Sequence, residues 1–213
     1  MGVGLLAGME MARAQSDEKP VPKAPYLAAV PDYGHWMVTF KYDAPAKDDT
    51  AGGDKPPSAQ EGIPSAIDTI KTGDLRGVTV SFANGTTKQF TCQGDWVLSS
   101  TPKGPQLSIA SPSQSPYIYY SKGFILLDGV TINPSTFKGA AMHNGALAFH
   151  YKSGEADVWI DIATMLPLAV KEPGIEANYQ HLPAPPRPFV IPKDQAGLLH
   201  KQQEADRKVR ALR

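Results

Sequence analysis

The chain has a single cysteine, Cys92, so no internal disulfide can form, and metal sites that need two or four cysteines from one chain are excluded. Nor is there an excess of either charge. Its 21 Lys and Arg balance its 21 Asp and Glu, so no net field recruits nucleic acid or an anionic membrane surface. No apolar run is long enough to span a bilayer as a helix. The short signatures that carry chemistry are missing as well: no Ser sits in G-x-S-x-G, and no H-E-x-x-H, Walker loop or G-x-G-x-x-G occurs. The five histidines (His35, His143, His150, His181 and His200) are scattered without ligand spacing. No catalytic residue, cofactor or metal site is assigned on these grounds.

Glycine and proline, by contrast, are abundant, at 19 and 20 residues, as in a β protein with many turns. Residues 1–14 pair a short apolar run with Ala12-Arg13-Ala14, the small-x-small pattern of a cleavage site, and read as the remnant of a signal peptide. Residues 15–34 carry Pro20, Pro22, Pro25 and Pro31 and form an extended approach. The domain itself spans 35–181, within the roughly 120 to 150 residues usual for one domain. Inside it, 44–62 has almost no apolar side chains and reads as a flexible loop, because it cannot bury enough surface to offset its ordering entropy. Residues 182–192 are a Pro-rich linker, and 193–213 read as a helix with a thin apolar stripe and mixed charges.

The strongest strand signal is 35–42, where Trp36, Val38, Phe40 and Tyr42 alternate with Met37, Thr39 and Lys41. Further short strands follow between 63 and 179, and side-chain parity fixes several registers. Asn144-Gly145 suits a two-residue turn that pairs Met142 with Leu147 and Ala140 with Phe149. Ser153-Gly154 as a second two-residue turn pairs Tyr151 with Ala156 and Phe149 with Val158. Both turns place Leu147, Phe149 and Tyr151 on one apolar face. The opposite face then sets His150 beside Asp157, with Lys152, Glu155 and Trp159 around them. His150–Asp157 reads either as a general-base dyad or as a cross-strand polar pair, and the second reading prevails because no nucleophile can be placed beside it. At Asn84-Gly85 a two-residue turn would mix the faces. A three-residue loop, Ala83-Asn84-Gly85 with Gly85 left-handed, instead puts Val78 beside Phe90. Cys92 falls on the face of Phe90 and reads as a small buried hydrophobe. Tyr117, Tyr119, Tyr120 and Phe124 read as core or as the wall of an apolar cleft. His143 and His200 are expected to be solvated.

The phrase W-I-D-x-x-T-x-L-P at 159–167 resembles one found in exported proteins of the LolA/LolB-like lipoprotein-carrier superfamily and in uncharacterised secreted proteins of similar build. The resemblance implies a curved antiparallel sheet whose apolar concave face holds acyl chains or a partner.

The fold expected is mainly β, a β-rich α+β architecture. It comprises a single curved antiparallel meander sheet of eight to eleven strands, closing as a half-barrel or a sandwich, with a C-terminal helix. The function expected is a non-enzymatic binding domain, periplasmic or secreted. It would hold an apolar, lipid-like molecule on the concave face at Trp36, Phe40, Leu147, Phe149 and Val158. The alternative is a structural or accessory subunit of a cell-envelope complex, docked on a protein partner through its tails and C-terminal helix. A hydrolase-like enzyme using His150 and Asp157 ranks last.

Overall fold

The computed structural model describes residues 21–43, 63–101, 103–109, 118, 122–124, 127 and 129–211. The leader at 1–14, the loop at 44–62 and the tyrosines Tyr117, Tyr119 and Tyr120 lie outside them.

Eleven strands form one curved, unclosed antiparallel sheet. Strands β1 (Tyr33–Tyr42), β2 (Pro64–Thr72), β3 (Leu75–Phe82), β4 (Thr87–Gln93), β5 (Trp96–Thr101) and β6 (Gly104–Ile109) make the first meander. After the 110–136 connection, β7 (Phe137–His143), β8 (Ala146–Ser153), β9 (Ala156–Asp161), β10 (Pro167–Glu172) and β11 (Ile175–Leu182) make the second. The two join where β11 pairs with β1, giving the order β6-β5-β4-β3-β2-β1-β11-β10-β9-β8-β7. Helix α1 (Lys193–Ala211) packs against β6.

Strand alternation divides the side chains between a core face and a helix face. Trp36, Val38, Ile67, Val78, Val80, Cys92, Phe149, Tyr151, Val158 and Ile160 form a continuous core along the first of these. Three segments cover it. Tyr26, Leu27 and Val30 of the N-terminal approach pack on it, tied down where the Ala28 amide donates to the Met165 carbonyl at 2.7 Å. Ile162, Met165 and Leu166 pack from the β9–β10 turn. From the 110–136 connection come Ile118 and Phe124, the latter edge-on to Trp36 and Tyr179 at ring-centroid distances of 5.9 and 6.1 Å. Phe124 therefore serves as core. It and Leu127 belong to neither strand nor helix.

The hairpins show how local chemistry sets register. At β3–β4 the ladder pairs Val78 with Phe90 and Ser81 with Thr87, leaving a three-residue loop with Gly85 at φ 83°. Asn84 Oδ1 accepts from the Thr86 amide at 3.0 Å and its hydroxyl at 2.7 Å, which explains the Asn-Gly-Thr triplet as turn chemistry. At β7–β8 the pairs are Met142–Leu147 and Ala140–Phe149, with both Asn144 and Gly145 at positive φ, as a type I′ turn requires.

The β8–β9 hairpin corrects the expected register. Ser153 pairs with Ala156, Tyr151 with Val158, and Phe149 with Ile160, so the turn is Gly154-Glu155. Gly154, with φ 60°, takes the first central position, where a left-handed backbone costs glycine least. The slip is two residues, so every side chain keeps its face. A second correction concerns the hairpin tip. Met142 and Leu147 share the core face but are 66% and 47% exposed.

The phrase at 159–167 also has a local explanation. Asp161 Oδ1 accepts from the Ala163 amide, the Thr164 amide and the Thr164 hydroxyl at 3.0, 2.7 and 2.8 Å. Thr164 Oγ1 in turn accepts from the Leu166 amide at 3.3 Å, and the left-handed Met165 carries the chain to Pro167, where β10 begins.

Candidate functional site

The site begins as a defect in the ladder. β4 pairs with β5 at Gln93–Trp96, Cys92–Val97, Thr91–Leu98 and Phe90–Ser99, and there the pairing stops. Beyond that point Thr87 and Lys88 still bond to β3, while Ser100 and Thr101 still bond to β6. The two strands part, and a cleft of about 1080 Å³ opens at the fork, lined by residues of both faces. That volume lies just above the range of about 300–1,000 Å³ usual for small-molecule sites.

Its two ends differ in chemistry. Toward the core face the wall is Val78, Phe90 and Ile118, with Lys88, Ser99 and Thr101 at the margin. Toward the helix face it is Asp68, Ile70, Thr79, Gln89, Thr91, Ser100 and Gln195. The segment between β11 and α1 closes this second end with Phe189 and Pro192. It is held by the Phe189 amide, which donates to Thr72 Oγ1 at 3.1 Å, and by the Phe189 ring, which lies against the backbone of Gly77. Gly77 permits that approach because a Cβ there would meet Phe189 Cε2 at 2.6 Å.

Gln195 stands in the first turn of α1 and is 5% exposed. Its Nε2 and Ser100 Oγ are 3.1 Å apart, while Oε1 finds no hydrogen-bond partner among the described residues. Asp68, the acidic group in the wall, is tied to His35 Nε2 at 2.7 Å. On the core face, Trp36 Nε1 and Thr69 Oγ1 also lack partners among the described residues, and these two residues are ladder neighbours beside Val78.

The residues expected from sequence to contact a ligand are placed elsewhere. Trp36, Phe149 and Val158 are buried in the core, Phe40 is half-buried against it, and Leu147 is exposed at the β7–β8 tip. None of the five lines the cleft. What the sequence could have offered was the loss of apolar alternation after Leu98, where Ser99, Ser100 and Thr101 follow one another.

His150 and Asp157 do meet, Nε2 to Oδ1 at 2.8 Å, across a diagonal of the β8–β9 ladder, since His150 directly faces Trp159. Lys152 Nζ lies 2.7 Å from the other carboxylate oxygen. Burial alone would raise the Asp157 pKa; the hydrogen bonds from Lys152 and His150 outweigh it and hold it below the usual carboxylate range. The indole of Trp159 is stacked between His150 and His143, with centroid distances of 5.2 and 4.2 Å. His143 is thus half-buried, not solvated as its place beside a turn suggested, and burial lowers its pKa. Among the described residues no hydroxyl or thiol hydrogen-bonds His150. Cys92 is fully buried, and burial pushes its thiol up to about 11. The described residues contain no cluster of three or more metal-ligating side chains and no helix long and apolar enough to cross a membrane.

Compared with known proteins, the chain matches no family model and no curated protein sequence. Solved structures do match, among them the crystal structure of the Mycobacterium tuberculosis lipoprotein LppX. The match has 14% identity and a TM-score of 0.42, over 75% of this chain and 90% of that one.

Proposed function

We propose that this chain is an exported, non-enzymatic binding protein that holds an amphipathic, lipid-like molecule in the cleft between β4 and β5. The observation that carries the reading is the fork itself: one space has an apolar end at Val78, Phe90 and Ile118 and a second end where Thr79, Gln89 and Gln195 present hydrogen-bonding groups beside Ile70 and Phe189. Such a space suits a molecule with one apolar and one hydrogen-bonding end, because each part leaves water for a matching wall. The alkyl part lies toward the core face and the polar part toward α1. Export rests on the leader pattern of residues 1–14.

The test is native mass spectrometry of protein purified from an exporting host, beside saturation binding of a fluorescent alkyl probe. We expect a co-purifying apolar adduct and saturable binding. Ser99→Trp, which fills the core-face end of the fork, should abolish both while leaving the β-sheet circular dichroism intact. Binding that survives in Ser99→Trp places the ligand outside the cleft and overturns the reading.

A further inference from the structure

We infer that the polar end of the cleft selects an uncharged, hydroxyl-bearing head group, a sugar or other polyol, through the side-chain amide of Gln195. The inference rests on the ligand-binding reading above and adds the chemical class of the head.

A primary amide offers a carbonyl that accepts and an NH₂ that donates. One end of the Gln195 amide is satisfied by Ser100 Oγ at 3.1 Å, and the other has no partner among the described residues although the side chain is 95% buried. Serine can accept from the NH₂ or donate to the carbonyl, so Ser100 is served by either orientation of the amide. The group left over is a carbonyl in one orientation and an NH₂ in the other. A phosphate or carboxylate satisfies only the second of these, and an ammonium only the first. A hydroxyl both donates and accepts, so it completes the amide whichever way it lies.

The surrounding wall agrees. Thr79, Gln89, Thr91 and Ser100 are neutral hydrogen-bonding groups. Of the charged residues in the lining, Asp68 is hydrogen-bonded through Oδ1 to His35 Nε2 and sets a carboxylate against an anionic head, and Lys88 stands on the core-face side with its Nζ 5.4 Å from the Phe82 ring centroid. At Gln195 itself a charged head would give up water hydrogen bonds for an amide that matches it in only one orientation, whereas a polyol exchanges its water hydrogen bonds for equivalent ones.

The experiment titrates three amphiphiles of one chain length, below their micelle concentrations, by isothermal calorimetry: decyl maltoside, decyl phosphate and decylammonium. Decyl maltoside should bind about tenfold more tightly than either charged analogue, and Gln195→Leu should weaken the maltoside alone by about two- to tenfold. Should the leucine variant fold poorly, the near-isosteric Gln195→Met makes the same test. Equal binding of all three heads, preference for the phosphate or the ammonium, or a Gln195 variant that weakens all three alike overturns the head-group inference and leaves the lipid-binding reading standing. A maltoside preference unchanged in both variants removes Gln195 from the role. If none of the three binds, the cleft is not an amphiphile site, and both readings fall together.

Discussion

Replacing Gly77 by alanine should destabilise the protein, and doing so in a Phe189→Ala background should not. In the native strand a Cβ on Gly77 would stand 2.6, 2.8 and 3.0 Å from three carbons of the Phe189 ring. Carbon atoms in ordinary contact are about 3.5–4.0 Å apart, so the ring must retreat by about 1 Å. It is not free to do so, because the neighbouring backbone is fixed by the bond from the Phe189 amide to Thr72 Oγ1 at 3.1 Å. Overpacking of this kind costs about 1–3 kcal/mol. Against it stands the gain from replacing glycine inside a strand, about 0.5–1 kcal/mol. The net loss expected is about 0–2.5 kcal/mol in the native background. Once Phe189 is alanine the clash is gone and only the gain remains, so the same substitution should stabilise. The glycine gain cancels in the double-mutant cycle, so the coupling is the clash itself, about 1–3 kcal/mol. Urea unfolding followed by fluorescence of Trp36, Trp96 and Trp159 measures each corner, with linear extrapolation at constant slope. If the two substitutions add within about 0.3–0.5 kcal/mol, Phe189 does not rest on Gly77 and the closure of the cleft described above is wrong.

Three further outcomes follow from the geometry. The Asp157 carboxylate is held below its ordinary pKa in the folded state, so its contribution to stability is present above the unfolded value of about 3.9 and is lost as pH falls through the lower folded value; Asp157→Asn should flatten that part of the acid limb in pH-dependent urea unfolding, and an unchanged limb would show the pairing is absent in solution. Cys92, fully buried and with its thiol pushed up to about 11, should resist iodoacetamide at pH 8 in the native protein and react once urea unfolds it; stoichiometric labelling of the native protein by intact mass would contradict its burial. Asp161→Ala removes the acceptor for three turn hydrogen bonds and should cost about 1–2 kcal/mol in the same unfolding assay, while Asp161→Asn should retain part of it.

Much of the sheet was legible because its information is local. The alternation of Trp36, Val38 and Phe40, the glycine of Ala83-Asn84-Gly85 and the Asn144-Gly145 turn each act over a few residues, and each specifies faces or register directly. Where two local solutions differ by two residues, parity cannot choose between them, as at β8–β9. There the decision fell to Gly154, whose positive φ suits the first central position of the turn better than the second central position that Ser153-Gly154 would have given it. The exposure of Leu147 and the stacking of His143 on Trp159 were not legible in the same way. The first is a matter of tertiary covering, and the second joins β7 to β9 across β8, beyond the directly paired neighbours that parity addresses.

The candidate site belongs to the second kind of information, and the reason is physical. A cleft made by two strands parting is defined by hydrogen bonds that do not form, so it leaves no pattern of its own in either strand. Continuing the β4–β5 register past Phe90 and Ser99 would set Lys88 against Thr101 and Thr87 against Pro102, and a proline has no amide to give to the ladder. The chain thus carries a reason for the ladder to end, but not for the space beside it to stay open. That second condition comes from residues 95 and 112 positions away in sequence. Phe189 sits on Gly77 and Gln195 on Ser100, and together they brace the helix face of the sheet across the fork without filling it. The apolar alternation of β1 and β8 marks burial, and Trp36 and Phe149 are buried. A binding wall needs the opposite, apolar surface left uncovered next to polar groups left unsatisfied, and at the β4–β5 fork Phe90 and Gln195 supply one of each.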